Sequence, residues 1–137
     1  MLHQCPRSPL QRVAVFVAAI FGLITILKGG SILLGLAEAG YYVVRPVLVY
    51  NTVMGVVYVL IALVIARSAK QGRFAAGLVA LLNLGVLVAL SAYAATGAEV
   101  AEQTMRAMAF RTALWVVIYA LLVVVVRRTS QAPPQPA

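Results

Sequence analysis

Apolar residues in this chain come in four long blocks, at about 13–36, 47–66, 74–95 and 107–126, rather than alternating with polar residues along one face. A helix that is apolar on all sides needs apolar surroundings on all sides. Twenty residues of helix rise about 30 Å, which matches the hydrocarbon thickness of a bilayer. The pattern therefore predicts an all-α fold: a four-helix transmembrane bundle in which short loops make sequential helices antiparallel neighbours.

The breaks between blocks carry the polar and turn-forming residues. Residues 1–12 are a polar segment with Arg7 and Arg12, and Lys28, Gly29, Gly30 and Ser31 interrupt the first block before Ile32–Leu36 resumes it. A short apolar core followed by Ala37-Glu38-Ala39 also fits a cleavable secretory signal. The lysine and the second apolar stretch that follow favour a retained first span instead, with glycines that let another backbone approach. Residues 37–46 mix Glu38, Gly40, Tyr41, Tyr42, Arg45 and Pro46, a composition suited to a membrane interface and then to a helix start. Arg67, Lys70 and Arg73 form a short basic loop, Thr96–Arg106 an acidic turn, and residues 129–137 a segment whose three prolines predict an extended or disordered tail.

Composition strengthens this reading. The chain is 64% hydrophobic and 10% charged, with a mean hydropathy of +1.01, whereas a water-soluble domain carries about 25% charged residues. The net charge of +8 would draw attention to nucleic acid in a soluble chain. Here the cations sit at block edges rather than in a stripe interleaved with aromatics, which argues against nucleic acid and for the positive-inside rule. With the N-terminus cytoplasmic, that side holds seven basic residues and no acid, Arg7, Arg12, Arg67, Lys70, Arg73, Arg127 and Arg128. The opposite side then holds Lys28, Arg45, Arg106 and Arg111 with all three acids, Glu38, Glu99 and Glu102. Both termini are expected in the cytoplasm.

Few residues can carry chemistry. The single cysteine, Cys5, and single histidine, His3, lie in the first five residues. One cysteine cannot form an internal disulfide, and one histidine cannot supply two axial haem ligands. No metal, phosphate-loop or nucleophile motif is present, and no carboxylate lies deep in a span, as a proton-coupled exporter would need. No catalytic residue is expected.

Two polar layers remain. Lys28 follows Arg12 by sixteen residues, Asn51 precedes Arg67 by sixteen, and Arg111 precedes Arg127 by sixteen, so all three stand at one height, roughly 24 Å above the cytoplasmic anchors. Lys28 and Arg111 either snorkel to headgroups or face inward, with Asn51, Arg45, Glu38, Glu99 and Glu102, as a ligand-binding cluster. Glu102 and Arg106 also suit a helical pair of their own. Tyr58, Asn83 and Tyr119 share a midplane height, where polar groups serve as contacts between helices or hydrogen-bond a bound lipid or quinone. Asn51, Gly55, Tyr58 and Ala62 share one face of the second span, and Trp115 shares that of Arg111 and Tyr119, which would permit an Arg–Trp stack.

Arg45-Pro46, Tyr50-Asn51 with Gly55, and Met108-Ala109-Phe110-Arg111-Thr112 followed by Leu114-Trp115 resemble segments of small four-span bacterial inner-membrane proteins, with a looser likeness to DoxX-type membrane proteins. The resemblance implies a bacterial inner membrane and carries no activity with it. Because almost the whole chain is apolar, the leading expectation is a non-catalytic accessory or structural subunit of a larger inner-membrane complex, or a homo-oligomer. The alternative is a small-anion or lipid binding or transport protein using the outward Lys/Arg/Glu cluster. No cofactor is expected beyond bound lipid or quinone.

Overall fold

The computed structural model describes residues 8–131, and these form four helices: α1 (Pro9–Leu33), α2 (Arg45–Arg67), α3 (Ala69–Ala95) and α4 (Glu102–Gln131). Each is long and apolar enough to span a membrane, and the fold is the expected all-α four-helix bundle. His3, Cys5 and Arg7 lie outside the described residues, as do residues 132–137.

Local chemistry sets the helix ends. Ser8 caps α1, its Oγ accepting from the Gln11 amide at 3.2 Å ahead of Pro9 in the first turn, so α1 begins four residues before the apolar block. It stops at Leu33 rather than Leu36. Gly35 has a φ of +71°, the Leu36 amide donates to Ser31 O at 2.9 Å and the Gly35 amide to Ile32 O at 3.1 Å. This is the Schellman closure, which a left-handed glycine permits.

Between α2 and α3 the basic stretch is mostly helix rather than loop. Ser68 alone links them, in extended conformation, and its Oγ accepts from the Gln71 amide at 3.3 Å, so Lys70 and Arg73 stand within the first five residues of α3. Extended Ser68 leaves the Ile65 carbonyl without its helical partner. The Gln11 side chain, buried on α1, donates to that oxygen at 2.7 Å and closes the end. At the other end of the chain, α4 runs on through Thr129, Ser130 and Gln131, where an extended tail was expected. The Thr129 and Ser130 hydroxyls donate to the Val125 and Val126 carbonyls at 3.0 Å, and the first proline, Pro133, comes later.

The bundle is two close pairs, α1 with α2 and α3 with α4, joined by thinner α2–α3 and α1–α4 contacts. Gly22 and Gly55 make the first pair close. A Cβ on Gly55 would lie 3.0 Å from Ile26 N and 3.1 Å from Gly22 O, and one on Gly22 would lie 2.8 Å from Gly55 O. Gly29 abuts Thr52 in the same seam, whereas Gly30 faces open space. The core is built from Ala14, Ala18, Tyr58, Ala62, Ile65, Ala76, Trp115, Ile118 and Leu122. Phe16, Leu27, Phe74 and Leu81 point outward, as lipid-facing side chains do.

Candidate functional site

The bundle has a polar centre. Asn83 of α3 is fully buried, and two tyrosines of α2 converge on it. The Tyr50 hydroxyl donates to Asn83 Oδ1 at 3.0 Å. The Tyr58 hydroxyl lies 3.1 Å from Oδ1 and accepts from Nδ2 at 3.0 Å. Tyr58 also packs on Trp115 of α4, with ring centroids 4.7 Å apart, and stacks on Phe21 of α1 at 5.8 Å, while Phe21 meets Phe110 of α4 at 5.9 Å. Four aromatic rings thus tie three helices together, and Asn83 fastens the fourth.

Beside this aromatic row a cleft of about 300 Å³ lies between α1, α2 and α4. Lys28 and Thr25 of α1, Asn51 of α2, and Arg111 and Thr104 of α4 supply its polar groups, with Tyr41 from the α1–α2 connection. Phe21, Ile24, Ile32, Val47, Leu48 and Phe110 supply apolar walls. Helical spacing puts these residues on facing sides: 21, 25, 28 and 32 on α1, 47, 48 and 51 on α2, and 104, 107 and 111 on α4.

The cleft's charge is uncompensated. Arg111 is half-buried, and its Nη1 is a fully buried donor with no hydrogen-bond partner; Asn51 Oδ1 is a fully buried acceptor in the same condition. Trp115 Nε1 is the third such atom among the described residues. The one ion pair among the described residues joins Glu102 to Arg106, both well exposed, so neither Lys28 nor Arg111 is held by a carboxylate there. Buried polar atoms without partners are uncommon in native proteins and each calls for an explanation. A ligand carrying negative charge supplies one.

Of the expected site residues, Lys28, Asn51 and Arg111 come together at one level and line this cleft. Lys28 and Glu38 both line a shallower adjoining cavity of about 280 Å³, shared with Tyr41, but form no ion pair. Arg45 and Glu99 are exposed and line neither cavity, and Glu102 is occupied with Arg106. At the midplane Tyr58 and Asn83 meet, and Tyr119 does not join them. It is 41% exposed and its ring lies over Gly77, 3.1 Å from where a Cβ would stand. The buried face of α4 runs through Trp115, Ile118 and Leu122, which turns residue 119 outward. Trp115 packs on Tyr58, so its ring is engaged there.

Tyr50, Phe21 and Phe110 belong to the site and are not apparent from charge patterning. Phe21 stands seven residues before Lys28 and Phe110 directly before Arg111, so helical spacing from the cations is the signal that locates them. Among the described residues, no group of His, Cys, Asp or Glu could hold a metal ion. No protein-family model, curated protein or solved structure matches the chain.

Proposed function

We propose that this protein binds an amphipathic anion, a lipid with a negatively charged headgroup, in the cleft between α1, α2 and α4. The observation that carries the reading is the convergence of Lys28 and Arg111, without carboxylate partners, on a cleft whose other walls are largely apolar. A free small anion would leave those walls wet. An apolar ligand would leave the guanidinium unpaired, at a cost of a few kcal/mol. A lipid headgroup with its first carbons satisfies both.

The proposed setting is a bacterial inner membrane with both termini cytoplasmic. It is supported by the seven-to-four basic asymmetry and by the placement of every acid on the opposite side. That orientation puts the cleft in the outer leaflet. In a Cys5→Ser background, a membrane-impermeant maleimide should label Glu99→Cys in intact cells and leave Lys70→Cys unlabelled; the reverse pattern inverts the topology.

Native mass spectrometry with phosphatidic acid, phosphatidylglycerol and phosphatidylcholine tests the binding reading. The wild type should hold one anionic lipid at least tenfold more tightly than phosphatidylcholine, and Arg111→Ala should remove that preference. Equal retention of anionic and zwitterionic lipid by the wild type would refute it.

The second reading is the accessory or structural subunit of a larger inner-membrane complex. It is favoured by Gly85, Ala89 and Ala92 on the outward face of α3, where Gly85 has open space around it. Small residues at that spacing admit another helix. Purification in mild detergent separates the readings: a subunit leaves the membrane in stoichiometric company, a lipid-binding protein alone or as a homo-oligomer.

A further inference from the structure

Resting on the anionic-lipid reading, we infer that the cleft opens sideways into the bilayer between α1 and α4, so that the lipid enters from its own leaflet and its chain lies against Ile24 and Phe110. Exposure around the cleft shows where the mouth is. The exposed lining residues belong to α1 and α4, Ile24, Lys28, Ala107 and Phe110, with Tyr41 from the α1–α2 connection. On the α2 side, Val47, Leu48 and Asn51 are all half-buried. Helix α2 is therefore the back wall, and the α1–α4 seam is the rim.

The seams around the cleft differ in what holds them. Helices α1 and α2 pack backbone to backbone at Gly22 and Gly55, and α2 is fastened to α3 by the bonds of Tyr50 and Tyr58 with Asn83. Among the described residues, side-chain hydrogen bonds between helices join α1 to α2 and α2 to α3, and none joins α1 to α4. There Phe21 meets Phe110, with ring centroids 5.9 Å apart, and both rings line the cleft. Lipid tails are as apolar as these rings, so a chain that parts the seam replaces the contact it breaks. The α1–α2 and α2–α3 seams offer no such exchange.

The mouth is also amphipathic in the order that a lipid is. Lys28 and Tyr41 stand at its end nearer the α1–α2 connection, and Ile24, 46% exposed, lies one helical turn deeper on α1. On α4, Phe110 directly precedes Arg111 and is 60% exposed. A headgroup held by Lys28 and Arg111 thus has an apolar path to the surrounding tails. The cleft's volume of about 300 Å³ lies at the lower end for ligand sites and takes a headgroup with its first carbons. The rest of the chain has to leave, and the apolar part of the rim is where it can.

The test is photo-crosslinking of the full-length protein in phosphatidylcholine vesicles that carry phosphatidic acid with a diazirine on its acyl chain, mapped by mass spectrometry of the peptides. Crosslinks should gather in residues 21–28 and 104–111 and exceed those at Leu78 and Leu81, which face outward on α3. This map uses the unaltered chain, so it stands whether or not a variant folds. A second measurement narrows the mouth: Ala107→Trp, at an exposed rim position, should weaken phosphatidic acid binding at least tenfold in native mass spectrometry. Val56→Trp, on the outward side of α2 and 48% exposed, should leave it unchanged. Glycerol phosphate at millimolar concentration should not displace the lipid.

Crosslinks spread evenly over the four helices, or gathered on α2 and α3, overturn the lateral opening, as does a folded Ala107→Trp protein that binds as tightly as the wild type. With either result, a wild-type preference for phosphatidic acid over phosphatidylcholine leaves the anionic-lipid reading standing. Displacement by glycerol phosphate also overturns the opening, because the site would then take a free anion from water. Absence of that lipid preference in the wild type removes both readings at once.

Discussion

Gly55→Leu should destabilise the protein by about 4 kcal/mol or more, enough to keep it from accumulating in the membrane. The reason is what stands opposite. A Cβ at position 55 meets the backbone nitrogen of Ile26 at 3.0 Å and the carbonyl oxygen of Gly22 at 3.1 Å, with Ile26 Cγ1 at 2.9 Å. A side-chain tip can rotate away, but main-chain atoms move only if the whole of α1 moves. Even Gly55→Ala should cost about 1–3 kcal/mol. Gly30→Ala is the control. It lies in the same helix pair with nothing near its Cβ position, and alanine's better helix propensity should leave it neutral or more stable by up to about 1 kcal/mol. Unfolding in graded dodecyl sulfate would rank the three, and a Gly55→Leu protein as resistant as wild type would show that α1 and α2 do not cross at this point.

This contrast also marks how far the sequence could be read. Four spans, their order and the shared height of Lys28, Asn51 and Arg111 were legible, because apolar block length and residue counting from basic anchors convert directly into distance along a helix axis. Rotation about that axis was not. Gly29, Gly30 and Gly22 look equivalent in the sequence, yet only Gly22 and Gly29 meet a neighbour. In an all-apolar helix no polar face marks the outside, so the buried side is set by fine packing. Tyr119 has the height expected of a midplane partner and the wrong azimuth, whereas Tyr50, eight residues before Tyr58 on α2, reaches Asn83 because its long side chain spans the difference in height.

The carboxylates show the same limit in another form. Glu38, Glu99 and Glu102 are on the expected side of the bundle's polar layer, and a charge count pairs them naturally with Lys28 and Arg111. Short loops decide otherwise. Glu102 sits in the first turn of α4, four residues before Arg106, and pairs within its own helix. Glu99 is held in the α3–α4 connection, exposed and away from both cavities. The cleft is therefore left with two cations and no internal anion, and that imbalance is what gives it a function to argue from.

Asn83→Leu should cost about 2 kcal/mol, with most of the loss traceable to one hydroxyl. Leucine keeps the volume, so little of the effect comes from a cavity. What changes is that the Tyr58 hydroxyl, wholly buried, loses both of the hydrogen bonds it makes with the Asn83 amide. Hydrogen bonds between membrane helices average only about 0.6 kcal/mol, because side chains find other partners in the dissociated state. Tyr58 has few such alternatives. It lies nine residues from Arg67, roughly 14 Å along the helix from the nearest charged end, too deep for its hydroxyl to reach headgroups. Tyr58→Phe should therefore rescue part of the loss: the double variant Asn83→Leu/Tyr58→Phe is expected to be more stable than Asn83→Leu alone, with a coupling of about 1 kcal/mol in a double-mutant cycle. A coupling indistinguishable from zero would mean that Asn83 and Tyr58 are near each other without depending on each other, and that the aromatic row alone holds α2 to its neighbours.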